Sequence, residues 1–215
     1  MKKEKKEFQN WWENYWYYYK WHTIAGIFVL VVLIITITEC AKTVKPDLGV
    51  SIVTKGMISE DYVDFDGHFD DKLIDINNDG KKHIGATQMF VPLEPQNEQD
   101  VAMMQKVTLE FAGGDSSLFI FDKDNMDRYI KQDAFSPLDR FIDISNIPEE
   151  RLLKNEQGMT VAISLKGCTK LQELGILNDD LYAAFLFVRD GWEKDEKRMQ
   201  QFENAKTVLE GILNN

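Results

Sequence analysis

The sequence predicts an α/β domain on a mostly parallel, mixed sheet flanked by helices, behind one N-terminal transmembrane helix. Three observations carry this. An unbroken apolar stretch, Ile24 to Thr38, follows a dense aromatic block near the N-terminus. Beyond it, short runs rich in β-branched residues alternate with segments whose apolar positions recur near every 3.6 residues. Of the 215 residues about 175 lie beyond the first 40, enough for one core without disulfide staples.

The opening reads NWWENYWYYYKWHTIAGIFVLVVLIITITEC, Asn10 to Cys40. As a helix, Ile24–Thr38 covers about 22 Å at ~1.5 Å per residue, short of the ~30 Å hydrocarbon core of a bilayer. Trp11, Trp12, Tyr15, Trp16, Tyr19 and Trp21 supply the flank, because indole and phenol rings settle at headgroup level. Leu30 to Ile35 is apolar on every face, unlike a one-sided core helix. The long leading segment contains Glu4, Glu7 and Glu13, and no A-x-A site follows the run, so an uncleaved anchor is expected over a signal peptide. Cys40 keeps a processed lipoprotein open, although Glu39 stands where a small residue normally precedes a lipidated cysteine. Lys2, Lys3, Lys5, Lys6 and Lys20 precede the span, against Lys42 and Lys45 after it, which puts the N-terminus in the cytoplasm. The expected division is a cytoplasmic aromatic and basic segment (1–22), an anchor (23–39), a stalk (40–47) and an extracytoplasmic domain (48–215).

Within that domain LGVSIVTKG reads as a central strand stopped by Gly56. The acidic stretch 57–72 reads as a loop. LIDINNDGKKHIGATQMFVPL reads as a hairpin turning at Asp79-Gly80. NEQDVAMMQKVTLEFAGGD is a helix, capped by Asn97 or Asp100 and stopped at Gly113-Gly114. SSLFIFD is a strand, KDNMDRYIKQDAF a helix, and the stretch 136–158 mostly loop with a helical turn. MTVAISLKG is a strand, CTKLQELG a short helix closed by Gly175, and DDLYAAFLFVRD the last strand. The end is an amphipathic helix with Met199, Phe202, Ala205, Val208, Leu209 and Ile212 on one face.

Along residues 101–141 the chain resembles the lobe segment of bacterial extracellular solute-binding proteins of the type 2 periplasmic-binding class. The matching residues are Ala112, Gly114, Asp115, Phe119, Asp122, Phe135, Pro137, Leu138 and Asp139. The aromatic start YWYYYKWHTI also resembles small, N-terminally anchored Firmicutes proteins of unassigned role. The resemblance implies one lobe of a periplasmic-binding fold. Solute-binding proteins close two lobes on a ligand; about 175 residues provide roughly one.

Net charge is −11, and the first 40 residues hold five Lys and four Glu, leaving 20 basic and 32 acidic side chains on the rest. Such a surface repels phosphate backbones and excludes nucleic-acid binding. The two cysteines, Cys40 and Cys168, form no CxxC or Cys/His cluster, so no structural zinc is expected. GxSxG, HExxH, P-loop and GxGxxG patterns are absent, and no enzyme is expected. His22 reads as part of the aromatic belt, and His68 and His83 as solvated.

Ligands of open α/β sheets sit beyond the carboxyl ends of strands. That rule selects Thr54, Lys55, Asp122, Asp124, Asn125, Lys166, Gly167, Cys168 and Arg189, with Trp192 beside Arg189 as a stacking surface. Asp122 and Asp124 read first as plain helix caps, with ligand binding the alternative. Asp75, Asn77 and Asp79 match the start of a calcium loop, but its twelfth position is Ala86 rather than Glu, so a plain turn is favoured and calcium, helped by Asp70 or Asp71, is the alternative. No other cofactor is implied. The expected function is non-catalytic binding at the bacterial cell surface, to a membrane-protein partner or a small solute. Solute capture for an ABC importer (sugar, peptide or amino acid) is the alternative, and a cell-envelope hydrolase a distant third.

Overall fold

One helix, α1 (Lys2–Lys42), carries the whole N-terminal apolar stretch in the computed structural model, which describes residues 2–42, 45–58, 63–65, 67–177 and 180–214. Side chains of 2–10, 39–42 and 70 lie outside the described residues, among them Cys40 and Asp70. Residues 1–44 and 45–215 are separate compact units.

In the first unit Trp11–Thr38 is long and apolar enough to cross a membrane, a property an anchor and a signal helix share. Spacing of four residues stacks the aromatics along α1: Trp11 on Tyr15 at 5.7 Å, Tyr15 on Tyr19 at 5.5 Å and Trp12 on Trp16 at 6.2 Å between centroids. The helix satisfies its own hydroxyls. Thr36 donates to the Val32 carbonyl at 2.8 Å and Thr38 to that of Ile34 at 2.9 Å, so neither presents a bare polar group to an apolar surround.

The second unit is a six-stranded mixed sheet: β1 (Leu48–Thr54), β2 (Ile84–Phe90), β3 (Leu118–Asp122), β4 (Leu152–Lys154), β5 (Thr160–Ser164) and β6 (Leu181–Phe185), in spatial order β2-β1-β3-β6-β5-β4. β1 is buried at every position and pairs in parallel with β2 (Val50 opposite Ala86) and β3 (Ile52 opposite Ile120). The other three pairings, β3–β6, β6–β5 and β5–β4, are antiparallel. The mostly parallel sheet expected from the alternating elements is thus corrected to one parallel only in its β2-β1-β3 half.

The remaining helices are α2 (Glu98–Gly113), α3 (Lys123–Tyr129), α4 (Lys170–Glu173) and α5 (Glu196–Leu213). Side-chain alternation sends Phe119 and Phe121 of β3 to one face, where Phe111 of α2, Tyr129 of α3 and Phe135 close around them. Phe185 of β6 faces the other way, against Phe141, which stacks at 5.2 Å on Phe202 of α5. Asn97 caps α2 through the Asp100 N–H at 2.9 Å, and Gly114 ends it in the left-handed region.

Two elements differ from expectation. The 73–93 hairpin does not form. Asn78 and Gly80 do turn the chain at positive φ, but the first arm is not a strand, and β2 pairs with β1 instead. Two buried polar side chains take the first arm's backbone bonds. Asn204 of α5 accepts from Ile74 N–H at 2.7 Å and donates to its carbonyl at 2.9 Å, and Asp47 accepts from Ile76 N–H at 2.8 Å. Conversely the 136–158 stretch contains β4, joined to β5 by a tight turn in which Gly158 N–H donates to the Asn155 carbonyl at 3.0 Å.

Candidate functional site

β1 and β3 are parallel neighbours, and the chain leaves them toward opposite sides of the sheet. Their carboxyl ends therefore form a topological switch point, where open α/β sheets place ligands. Thr54 and Lys55 lie at one lip, Asp122 at the other. Asp122, 5% exposed, bridges them: Oδ2 accepts from Lys55 N–H at 2.6 Å, and Oδ1 caps α3 by accepting from Asn125 N–H at 2.9 Å. Outside this clamp the Lys55 ammonium pairs with the Asp124 carboxylate, which by hydrogen bond and then by charge holds Lys55 above its ordinary range.

The neighbouring loop is fastened to the same edge. The Thr54 carbonyl accepts from Val91 N–H at 2.8 Å, and Asn125 Nδ2 donates to the Val91 carbonyl at 3.1 Å. Arg128 donates to the carbonyl of Pro92 at 3.2 Å and to that of Leu93. Asn125 Oδ1 and the Tyr129 hydroxyl, one helical turn apart on α3, are buried without a hydrogen-bond partner, and burial pushes the Tyr129 phenol up. Lys166, exposed beyond β5, shares this edge because β5, on the far side of β6, runs in the same sense as β3. The chemistry here is ionic and backbone hydrogen bonding around one buried carboxylate.

Arg189 and Trp192 are elsewhere. β6 runs antiparallel, so its carboxyl end delivers them to the opposite edge. There Arg189 donates to the Phe111 carbonyl at 2.7 Å, closing the C-terminus of α2, and the guanidinium groups of Arg189 and Arg198 lie 5.5 and 4.6 Å from the centre of the Trp192 ring. The ring covers Gly114 so closely that a Cβ there would sit 2.6 Å from it. Cys168 is a buried free thiol beside Gly167, over a small cavity of about 90 Å³.

The Asp75–Gly80 loop uses much of its own oxygen. Asn77 Oδ1 accepts from Asp79 N–H at 2.9 Å, Asp79 Oδ1 from Lys81 N–H at 2.8 Å, and Asp75 Oδ2 from Gly80 N–H at 2.9 Å. Asp75 Oδ1 is buried without a partner. Ala86 lies within β2 opposite Val50, and Asp71 is exposed. Among the described residues no three His, Cys, Asp or Glu side chains gather where they could hold a metal. The interfacial set Trp11, Trp12, Tyr15, Trp16, Tyr19 and Trp21 lies along α1, all exposed except half-buried Tyr15.

A cavity of about 400 Å³ escaped the sequence reading. Its walls include Ile147, Arg151, Ile163 of β5, and Glu210 and Leu213 from the end of α5. The one local cue is Arg151 itself, a cation set between Glu149-Glu150 and the apolar Leu152-Leu153. Its guanidinium donates to the Ser164 carbonyl at 2.9 and 3.1 Å and to Cys168 Sγ at 3.3 Å. No family model matches the chain, and no curated protein or solved structure is significantly similar to it.

Proposed function

We propose that this chain is a membrane-anchored, extracytoplasmic binding domain that performs no catalysis and contacts a membrane-protein partner or a small solute. The observation behind this is the pairing of one exposed apolar helix, ringed by aromatics, with a folded α/β unit that has an open-sheet switch point at Lys55 and Asp122. Tethering supports the role physically, since fixing a domain at a membrane raises its effective concentration at neighbouring membrane proteins. The lysine excess before the span supports an outward-facing domain.

The test has two arms. Protease added to intact cells should degrade residues 48–215 while sparing the N-terminal tail, and the mature protein should retain its first forty residues. Crosslinking in native membranes followed by pull-down should recover a membrane protein, with recovery reduced by Lys55→Glu. Protection of the domain in intact cells, or a mature form beginning at or beyond Cys40, overturns the topology.

Solute capture for an importer is the second reading. It is favoured by the order α2, β3, α3 across the segment that resembles solute-binding proteins. The resembling residues include scaffold positions, with Gly114 ending α2, Asp122 capping α3 and Leu138 fully buried.

A further inference from the structure

We infer that the cavity between the C-terminus of α5 and Arg151 is a binding site for a small amphipathic zwitterion of the α-amino-acid class. The inference rests on the binding reading above but uses a different part of the domain. Its first support is the charge of the lining. Arg151 and the carboxylates of Glu210 and Asp143 line one cavity, yet Arg151 forms no ion pair with either. A half-buried guanidinium is costly to leave without an anionic partner. Its contacts to a carbonyl and a thiol occupy Nε and Nη2 and fix its plane without neutralising it, which leaves Nη1 to donate a charge-assisted hydrogen bond to a carboxylate.

The same lining also offers groups that favour a cation. α5 finishes with no basic residue of its own in the last turn, so its C-terminal carbonyls keep their partial negative charge, and the Glu210 side chain lines the cavity beside them. Asp143 lines the cavity as well, and hydrogen bonds from Ser145 hold its carboxyl below the usual range. Ile147, Ile163 and Leu213 add apolar wall. A ligand that satisfies all three features carries a carboxylate, an ammonium group and a short hydrocarbon side chain. The volume, about 400 Å³, is at the small end of ligand sites, which suits a single amino acid or a dipeptide.

The test uses the full chain in lipid nanodiscs, probed with the twenty free L-amino acids at millimolar concentration by thermal shift and then calorimetry. At least one aliphatic amino acid should raise Tm. For leucine, the matched probes 4-methylpentanoate and 3-methylbutylamine, each lacking one charge, should bind at least about tenfold more weakly. Glu210→Gln should weaken the amino acid by a similar factor while leaving the unliganded Tm near wild type, and Arg151→Lys, which keeps charge but loses the planar fork, should weaken it as well. The proposal is overturned if no amino acid shifts Tm, if 4-methylpentanoate binds as well as leucine, or if Glu210→Gln binds unchanged. Recovery of a crosslinked membrane partner in that event leaves the broader binding role standing, so the two failures are distinguishable.

Discussion

Asn204 grips Ile74 from 130 residues away: its amide oxygen accepts from the Ile74 N–H at 2.7 Å and its amide nitrogen donates to the Ile74 carbonyl at 2.9 Å. The same nitrogen reaches the Asp47 carbonyl at 3.3 Å, and Asn204 is fully buried. Replacing it with Leu takes the partner away from these backbone groups and puts no other donor or acceptor in its place. Asn204→Leu should cost about 2–4 kcal/mol, each stranded group contributing ~1–3 kcal/mol. Urea unfolding followed by far-UV circular dichroism measures it; a loss within error of zero would mean the 73–77 segment is held by something else.

Gly114 and Trp192 should be coupled. Gly114 has φ 70, and a Cβ there meets the Trp192 ring. Gly114→Ala should destabilise by about 2–4 kcal/mol, of which roughly 1–2 kcal/mol belongs to the left-handed backbone and the rest to the clash. In Gly114→Ala/Trp192→Ala the clash disappears and only the backbone part remains. The double mutant should therefore be more stable than the two single losses added together predict. Strict additivity would dismiss the contact.

Glu110 gives a pH signature. Burial, and then the Asp115 charge, raise its carboxyl above the ordinary value of 4.5, and its Oε2 is buried without a partner. A carboxyl raised on folding favours the protonated form, so its contribution to stability is present at low pH and is lost as pH rises through the folded value. Glu110→Gln should then raise Tm at neutral pH and lose that advantage below pH ~4, under the ordinary Glu range. An unchanged Tm at pH 7 would show that burial costs the Glu110 carboxylate nothing.

Calcium should not bind the Asp75–Gly80 loop. Asn77 and Asp79 each spend an oxygen on the loop's own N–H groups, and Ala86 has no side-chain oxygen for the twelfth position. Millimolar calcium should give no heat and no Tm shift. A shift abolished by Asp75→Ala would prove that the free Asp75 oxygen completes a cation site after all.

Elements with local signals were readable from the sequence. β1 announces itself by Val50, Ile52 and Val53, α2 by its Asn97 cap and Gly114 stop, and α5 by its apolar face. Strand direction was not readable, because it depends on where the chain returns rather than on residue type. Treating β6 as parallel placed Arg189 beside Lys55, whereas its antiparallel course puts the two at opposite edges. The supposed hairpin failed for a related reason. Asp47 and Asn204, distant in the chain, supply the bonds that a partner strand would have made. The Arg151 cavity depends on three separate segments meeting, and no single stretch advertises it.

The reach of Asn204 has a consequence for biosynthesis. A ribosome delivers β1 and the 73–77 segment long before α5, yet only the 18-residue α5 carries the amide that ties them together. Domains fold as units, and unpaired strand edges aggregate while they wait. The emerging polypeptide must therefore be kept soluble until α5 is released, and a chain truncated before Asn204 should be cleared by quality control instead of reaching its mature state.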